Sequence, residues 1–490
     1  MNADYLDFMK SDLKPLSALF RDNLRPINKE TMQKPWLKFY DPHVPEHIEY
    51  PRMPLQQILD DAAEFYPRKT AVFFFGGRWS YGELRTQANQ FASALKGIGF
   101  RKGDRLGLLL ANMPQTIIST FGALKVGGVV CFFDPLAADE ELQRQIEEAG
   151  AETLVVLDLV LPRVERILEN KKLKHFIVTG VQDYLPFPRN FFFSLAARGR
   201  GMNVKVARRP NTVLFKEILF SSRSRLASWT EELADPDGVA VIQYTGGTSG
   251  PPKGVLLTHT NLVSSLLQVS AWIGKSEKGR ETFLSIPGFH RPYGMTLAMS
   301  LPIYLAAMSV PLPRFEIGQV LSAVRKHRPS FFPALASMVE SLSKDSKISK
   351  YKVSPIKISW SMGKSLPEET LHNFERRMGG KLSESYGLTE ATGLTHANPI
   401  YGRRKIGSIG IPVPDTEAKI VDAGSGEKEM PPGQSGELVI RGPQVMQGYW
   451  NRPEETKIVL RQGWLHTGDM AWMDEDGFFY ITGKIGKDQK

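Results

Sequence analysis

From about residue 53 onward, apolar and polar positions alternate in a way that predicts helices and strands in turn. Apolar residues recur at helical spacing over residues 55–63, and an apolar run at residues 70–75 predicts a buried strand. Ser80 and Glu83 have the spacing of a capping box, so we expect a helix to begin there and run to about residue 96.

The pattern continues along the chain and sets the fold class. Residues 105–110 read as a strand, 114–125 as a helix and 128–133 as a strand. This βαβα order predicts an α/β fold whose sheets are mostly parallel, with helices on both faces. After about residue 402 short strands with Gly and Pro turns take over, at residues 418–421, 436–441 and 478–482.

These changes of pattern divide the chain into predicted regions. We expect two α/β subdomains and a small β-rich subdomain. A leader at 1–45 precedes the first α/β subdomain at 46–235, which has an insertion at 186–225. The second α/β subdomain, at 236–400, carries a glycine-rich loop. A β-rich subdomain at 401–482 and a short stub at 483–490 follow.

An uncharged run at residues 292–313 is about long enough to span a bilayer. Pro302, Pro311 and Pro313 interrupt it, so we interpret it as a core helix followed by a buried strand. The first residues lack the apolar segment of a secretory signal, which predicts a cytoplasmic protein. Cys131 is the one cysteine in the sequence, so an internal disulfide framework is excluded, and its apolar surroundings predict a buried thiol.

The net charge of +10 is concentrated in the insertion at 186–225. That segment contains nine Lys or Arg residues against one acid, Glu217, and it also contains several phenylalanines. Basic and aromatic residues together suit the surface of an anionic membrane. A solvated insertion and a site for single-stranded nucleic acid are the alternatives. We favour peripheral contact with the inner face of the membrane and expect no nucleic-acid partner.

The segment from Tyr244 to Gly254 combines glycines, hydroxyl residues and a lysine directly after a predicted strand. Glycines let the backbone approach a ligand closely, and consecutive N–H groups form a concavity that binds anions. The sequence therefore predicts a phosphate-binding loop, although a Gly/Ser/Pro surface turn is the alternative. It is not a Walker A loop, because Pro252 precedes Lys253. Its candidate ligand-binding residues are Thr245, Gly246, Gly247, Thr248, Ser249, Gly250 and Lys253.

Two further short loops contain side chains suited to a nucleotide. In residues 384–390, Tyr386 could stack on a purine and Glu390 could hold Mg²⁺, which binds through one or two carboxylates together with substrate phosphates. In residues 465–469, Asp469 could accept hydrogen bonds from a ribose diol. Taken separately, each segment could also be an ordinary solvated loop or turn.

Taken together and in this order, the motifs resemble the adenylate-forming superfamily of acyl-CoA synthetases, firefly luciferases and peptide-synthetase adenylation domains. The resemblance covers about residues 36–485, and within the superfamily it is greatest to long-chain fatty acid–CoA ligases. It rests on residues 79–84, 102–105, 245–254, 361–367, 386–390, 436–438, 448–450 and 463–469, with residues 36–40, 183–188 and 262–272 typical of the long-chain branch.

The resemblance implies roles for the matching residues. Thr245, Thr248, Ser249 and Lys253 would line the triphosphate path, and Tyr386 would stack on adenine. Thr389 would contact the α-phosphate, Glu390 would hold Mg²⁺, and His290 would lie near the carboxylate and the acyl tunnel. The remaining implied nucleotide-binding residues are Gly363, Lys364, Ser365, Gly387, Asp469 and Lys484.

The implied activity is formation of acyl-AMP from ATP and a fatty acid, followed by transfer to CoA, with ATP, Mg²⁺ and CoA as cofactor or co-substrates. An acceptor other than CoA and a non-catalytic binding protein are the alternatives. The sequence departs from the family pattern at Gly246, at Gly363–Ser365, after His290 and at Lys484. The family has a mobile C-terminal domain beyond this point, so we expect a chain without it to bind ATP but to be a poor complete ligase.

Overall fold

Three sheets organise the described part of the chain in the computed structural model, which covers residues 34–169, 173–191, 206, 209–222, 234–246, 250–274, 276–345, 348 and 356–486. The described residues from 36 onward form one compact unit. The predicted leader is described from residue 34 onward, and the last four residues of the predicted stub lie outside the described residues.

The first sheet has the strand order β16-β15-β14-β13-β12-β10-β11-β1-β2. Its central pairs are parallel and its edge pairs are antiparallel. Its strands are β1 (Thr70–Phe74), β2 (Gly77–Ser80), β10 (Thr282–Ser285), β11 (Met308–Pro311), β12 (Phe331–Leu335), β13 (Ile358–Met362), β14 (Lys381–Tyr386), β15 (His396–Ala397) and β16 (Ile411–Pro412).

The second sheet has the order β19-β9-β8-β4-β3-β5-β6-β7 and is parallel from β8 to β7. At its other edge β9 and β19 run antiparallel to their neighbours. Its strands are β3 (Arg105–Leu109), β4 (Val129–Phe132), β5 (Thr153–Leu157), β6 (His175–Thr179), β7 (Thr212–Leu214), β8 (Val239–Tyr244), β9 (Gly254–Thr258) and β19 (Gly448–Tyr449).

The two sheets do not follow the predicted division of the chain at residue 235. Strands β1 and β2 come early in the sequence, yet they complete the first sheet beside β11. Strands β8 and β9 lie beyond residue 235, yet they belong to the second sheet beside β4. Pattern along the chain identifies a strand but not its neighbours, because pairing joins residues that are distant in sequence. The sheets therefore do not coincide with the predicted consecutive boundaries, which stay a prediction for the domains.

The third sheet forms the predicted β-rich region. It consists of β17 (Glu417–Val421), β18 (Gly436–Arg441), β20 (Leu460–Arg461), β21 (Trp464–Met473) and β22 (Phe479–Lys484), all in antiparallel pairs. The long strand β21 pairs with β18, β20 and β22, so the sequence around Asp469 is supported on both sides.

Helices cover the sheets as the sequence predicts. The capping box is present, because Glu83 N–H donates to Ser80 Oγ and Ser80 N–H donates to the Glu83 carboxylate. The α-helices are Gln57–Phe65, Tyr81–Gly97, Pro114–Lys125, Asp139–Ala149, Leu161–Ile167, Phe215–Ser221, His259–Ile273, Leu301–Tyr304, Ile317–His327, Ala336–Lys344, Glu368–Met378 and Pro453–Val459. Short 3₁₀ turns occur at Pro35–Phe39, Val181–Tyr184 and Thr389–Ala391.

An apolar core lies against each of the two larger sheets. One packs the helices Ile317–His327, Ala336–Lys344 and Glu368–Met378 on the first sheet, and includes Phe332 and Phe374. The other packs Asp139–Ala149 and Leu161–Ile167 on the second sheet, and includes Cys131. Burial raises the pKa of the Cys131 thiol to about 12, which agrees with a core thiol and not with a nucleophile.

The uncharged run at 292–313 is buried in the protein interior, as predicted. It forms a π-helical segment, Gly294–Ser300, that continues into the helix Leu301–Tyr304 and then strand β11. Among the residues that the structure describes, every helix is too short or too polar to cross a membrane.

Candidate functional site

The phosphate-loop candidate connects β8 to β9 and is closed at its base by two hydrogen bonds. Thr245 N–H donates to the Lys253 carbonyl oxygen at 3.0 Å, and Lys253 N–H donates to Thr245 Oγ1 at 3.0 Å. Because β8 and β9 are antiparallel neighbours, the loop must reverse the chain at this edge of the sheet. Gly247, Thr248 and Ser249 lie outside the described residues, so their predicted roles stay predictions.

A pocket of about 410 Å³ joins this loop to the other candidate loops. Of the residues predicted from the sequence, Thr245, Gly246, Gly250, Lys253, Thr389, Glu390 and Lys484 line it. The pocket lies where the second sheet, the 3₁₀ turn after β14 and the third sheet meet. Three separate parts of the sequence therefore contribute to one cavity.

Lys253 makes two electrostatic contacts at the edge of this pocket. Its Nζ lies 2.6 Å from Oε2 of Glu455 and 4.9 Å from the centroid of the Tyr449 ring. The ammonium is thus held between a carboxylate and an aromatic face. Hydrogen bonds from Lys253 and then Arg452 hold the pKa of Glu455 below its ordinary value.

Glu390 is positioned by the same tyrosine. The Tyr449 hydroxyl donates to Oε1 of Glu390 at 2.8 Å, and the Glu390 carbonyl oxygen accepts from Met446 N–H. Burial, followed by the charge of Glu390, raises the pKa of Tyr449 well above its ordinary range, so the hydroxyl stays a donor. The sequence motif at 448–450 included Tyr449, but sequence reasoning gave it no role in the site.

The fit of Glu390 to a divalent cation follows from its setting. No group of three or more His, Cys, Asp or Glu side chains suited to a metal occurs among the described residues. A single carboxylate beside a phosphate-binding loop is the arrangement that suits Mg²⁺, which keeps waters and takes its other ligands from substrate phosphates. Glu390 and Lys253 both line the pocket, so the residues present fit that ion.

Asp469 lies between Tyr386 and Lys484. The Tyr386 hydroxyl donates to Oδ2 of Asp469 at 2.6 Å, and Lys484 Nζ lies 2.8 Å from Oδ1. Burial and then the charge of Asp469 raise the pKa of Tyr386 well above its ordinary value. The Tyr386 ring also packs edge-on against His396, with ring centroids 5.9 Å apart. Lys484 therefore contacts the candidate ribose-binding carboxylate, where the resembled family has arginine.

A buried pair supports the loop that carries Asp469. Glu437 on β18 accepts from His466 Nδ1 at 2.8 Å through one oxygen and from Gly468 N–H at 2.9 Å through the other. Thr467 Oγ1 accepts from Asp469 N–H at 3.1 Å and donates to the Leu438 carbonyl oxygen. Sequence reasoning cited the segments that contain Glu437 and His466 but assigned neither residue a function. Both line the pocket.

His290 stands apart from this pocket and pairs with Asp134. Its Nε2 lies 3.5 Å from Oδ2 of Asp134, and Arg291 Nη2 lies 3.1 Å from the same oxygen. The hydrogen bond from His290 holds the pKa of Asp134 well below its usual range. The turn before His290 is fixed by Asn112, whose Oδ1 accepts from Phe289 N–H at 2.8 Å. The predicted role of His290 near an acyl carboxylate stays a prediction.

The adenine-segment residues Gly363, Lys364 and Ser365 follow β13 and do not line the pocket. Lys364 Nζ pairs with Glu340 at 2.9 Å, and Ser365 Oγ donates to the Gly407 carbonyl oxygen at 3.2 Å. Gly363 has a φ of +119°, a conformation that favours glycine. Nothing in these contacts tests their predicted place beside adenine.

Gly387 has a packing reason that is visible only in three dimensions. A Cβ atom there would lie 1.6 Å from the Gly393 carbonyl oxygen, so a side chain would force the backbone apart. The turn that carries Thr389 and Glu390 lies between these two glycines in the sequence. Glycine at this position therefore lets the candidate catalytic turn close against the following segment.

Comparison with known proteins identifies relatives over nearly all of this structure. Residues 59–450 match the family model of the AMP-binding enzymes. A protein of Bacillus subtilis named long-chain-fatty-acid–CoA ligase is 40% identical over 451 residues, which cover 92% of this chain and 80% of that protein. A protein of the same name from Escherichia coli is 31% identical over 456 residues, again with 92% and 80% coverage.

The fold is similar to that of solved structures. A long-chain-fatty-acid-CoA ligase from Archaeoglobus fulgidus superposes with a TM-score of 0.77 at 23% identity, covering 91% of this chain and 87% of that one. At this identity the likeness shows the fold alone. The extent of the family match and the identity of the relatives show that this chain belongs to the AMP-binding enzyme family.

Proposed function

We propose that this protein activates a long-chain fatty acid with ATP and transfers the acyl group to CoA. Formation of an acyl-adenylate and its transfer to CoA is the reaction of the acyl-CoA ligases in this family. The observation that carries the proposal is the single pocket in which Lys253, Thr389, Glu390 and Lys484 meet. The names of the relatives from B. subtilis and E. coli support a long-chain substrate.

The chemistry requires a change of leaving group. A carboxylate resists attack because its leaving group is oxide, whereas an acyl-adenylate can expel AMP. The fatty carboxylate oxygen attacks the α-phosphorus of ATP, and the bond from that phosphorus to the bridging oxygen of pyrophosphate breaks. The CoA thiolate then attacks the acyl carbon and AMP departs. Every atom is supplied by the substrates, so no side chain needs to form a covalent bond.

The protein contributes positioning and charge. Lys253 and the donors of the phosphate loop would face the triphosphate, and Thr389 would donate to the α-phosphate. Asp469 would accept from the ribose hydroxyls while Tyr386 and Lys484 hold its two oxygens. Glu390, oriented by Tyr449, would hold Mg²⁺. That ion, when bound, would neutralise charge on the phosphates during transfer.

A test of the proposal measures pyrophosphate release from ATP with fatty acids of graded chain length, with and without CoA. We expect release to depend on fatty acid and on Mg²⁺, and a thioester product to form when CoA is added. The variant Thr389→Val removes the proposed donor, and the matched variant Thr482→Val alters a hydroxyl that donates to the Met470 carbonyl oxygen on strand β21. Release that needs no acyl substrate, or an acyl product on another acceptor only, would contradict the proposal.

We also propose that the segment 186–225 contacts an anionic membrane peripherally, which would place the protein at the inner face of the membrane in the cytoplasm. Phe187, Phe191 and Phe220 are all exposed, and Phe187 is 83% exposed. The described basic residues of the segment have local partners: Arg189 donates to the Phe75 carbonyl oxygen, Arg209 pairs with Glu165, and Lys216 lies 3.6 Å from Asp183. The exposed rings therefore support the proposal more strongly than these charges do.

A further inference from the structure

Glu455 is a carboxylate beside the nucleotide pocket, and the proposed reaction does not use it. It pairs with Lys253 at 2.6 Å. Lys253 lines the pocket of about 410 Å³, while Glu455 lines a neighbouring cavity of about 570 Å³ together with Arg144, Glu148 and Arg452. The ion pair therefore lies between the two cavities. The Lys253 ammonium, which we assign to the triphosphate, is therefore paired with the Glu455 carboxylate of the protein itself.

We propose that Glu455 is a positioning residue that competes with the nucleotide phosphates for Lys253, holding the ammonium before ATP binds and taking it back when pyrophosphate leaves. The inference rests on the proposed function, because it requires that Lys253 binds a polyphosphate.

The geometry allows this exchange without moving the backbone. Both backbone hydrogen-bonding groups of Lys253 are tied to Thr245, so its position along the loop is fixed. Its flexible side chain can still turn from Glu455 towards the pocket. The Tyr449 ring contacts the ammonium at 4.9 Å and is itself fixed by its bond to Glu390. The ring thus provides a surface along which the cation can move.

Glu455 keeps a counter-ion when Lys253 leaves. Arg452 Nη1 donates to its other oxygen, Oε1, at 2.8 Å, and Arg452 is in turn held by Glu148 through Nε at 3.0 Å. The Glu455 carboxylate is therefore not left alone by the exchange, which lowers its cost. A triphosphate presents more negative charge than a single carboxylate, so the ammonium moves to the nucleotide when ATP enters.

The test compares Glu455→Gln with wild type by titrating ATP·Mg²⁺ calorimetrically and by measuring inhibition by pyrophosphate. The Lys253 and Glu455 side chains are each about one-third exposed, so the pair is weak and partly screened. We expect Glu455→Gln to bind ATP about two- to fivefold more tightly, the range that an exposed ion pair allows. Pyrophosphate should inhibit more strongly by a similar factor, and both differences should shrink at high salt.

The matched control is Glu454→Gln, which alters the adjacent residue. Glu454 pairs with Lys457 at the surface, so the ATP affinity of Glu454→Gln should equal that of wild type. In a Lys253→Gln background, Glu455→Gln should no longer change ATP affinity, because that background lacks the ammonium for which Glu455 and the phosphates compete. Thermal unfolding of each variant shows whether the fold is retained.

The outcomes separate the two proposals. If wild type binds ATP and Glu455→Gln binds it equally well or more weakly, the proposed role of Glu455 is overturned. The proposed function itself is not affected by that result. A tightening that persists in the Lys253→Gln background would also overturn the role of Glu455, since the effect would not pass through Lys253. Absence of ATP binding in wild type would instead overturn the proposed function on which the inference rests.

Discussion

The Tyr386 hydroxyl donates a hydrogen bond of 2.6 Å to Oδ2 of Asp469, joining residues that are 83 positions apart. Tyr386 ends strand β14 of the first sheet and Asp469 lies in β21 of the third. The bond thus connects the candidate purine loop with the candidate ribose carboxylate. It also leaves the Tyr386 ring in place beside His396, so ring and carboxylate are positioned as one unit.

We expect Asp469→Ala to weaken ATP binding by about 1.5–3 kcal/mol, the scale of hydrogen bonds to a charged group. The change removes the acceptor for the ribose and also leaves Lys484 without its partner. Calorimetric titration with ATP measures the effect. Asp422→Ala is the control, because that carboxylate holds only a surface turn at Ser425. Equal ATP affinity in Asp469→Ala and wild type would contradict the ribose assignment.

Tyr449→Phe should raise the Mg²⁺ concentration needed for half-maximal pyrophosphate release. The variant keeps the ring under Lys253 but removes the donor to Glu390, a bond worth about 1.5–3 kcal/mol because its acceptor is charged. A loss of about tenfold in release at limiting Mg²⁺ is expected on that scale. Tyr480→Phe, which removes a 3.3 Å bond to Asp474, is the control. An unchanged Mg²⁺ dependence would argue against Glu390 as the metal ligand.

Glu437→Gln should both destabilise the protein and weaken ATP binding. The amide keeps the volume of the side chain but supplies one acceptor in place of the two used by His466 and Gly468. Leaving one buried group unpaired costs about 1–3 kcal/mol. Denaturant unfolding and ATP titration measure the two effects. Glu429→Gln, at an exposed residue 3.9 Å from Lys419, should change neither. A loss of stability with full ATP affinity would show that the pair supports only the fold.

The stability of the protein should fall as the pH is lowered below about 6.5, and buried His259 is one cause. Its Nδ1 accepts from Leu55 N–H at 3.0 Å, and burial lowers its pKa to about 4. Below pH 6.5 the unfolded chain gains a proton that the native histidine does not take up until about pH 4. The unfolded state is therefore favoured across this window, by up to about 1.4 kcal/mol per pH unit.

Urea unfolding at pH 7 and pH 5 measures this loss. His259→Gln keeps a possible acceptor for Leu55 but cannot titrate, so its stability should change less between the two pH values. His372→Gln is the matched control, because His372 is half exposed and lies beside Glu368 on a helix surface. The same pH dependence in His259→Gln and wild type would show that other groups cause the loss.

Phe187→Ser should reduce co-sedimentation with vesicles that contain anionic lipid. Burying an aromatic ring contributes about 1.5–3 kcal/mol, so a loss of about tenfold or more in partitioning is expected. Binding by wild type should also fall as salt rises, since the segment as a whole is basic. Tyr401→Ser is the control, because it alters another exposed ring, which lies outside the segment 186–225 and packs edge-on against His43. No binding of wild type at low salt would leave a solvated insertion as the interpretation.

The amino-acid sequence by itself determined the elements and the family. Apolar periodicity predicted strands at 70–75, 105–110 and 238–244 and a helix at 114–125, because burial on one or both faces leaves a period along the chain. Each forms within one residue of those bounds. The motifs predicted the family for the same reason: their chemistry is carried by short, contiguous segments such as 244–254.

Only the tertiary structure decided which strands are neighbours and which side chains meet. Strand β1 pairs with β11, although more than 200 residues separate them, because hydrogen bonding between strands depends on position in space. The same reason explains why Tyr449, Glu455 and Glu437 were not predicted as parts of the site. Each is an ordinary residue in its own segment and acquires a role through Lys253, Glu390 or Gly468, which the fold brings within hydrogen-bonding distance.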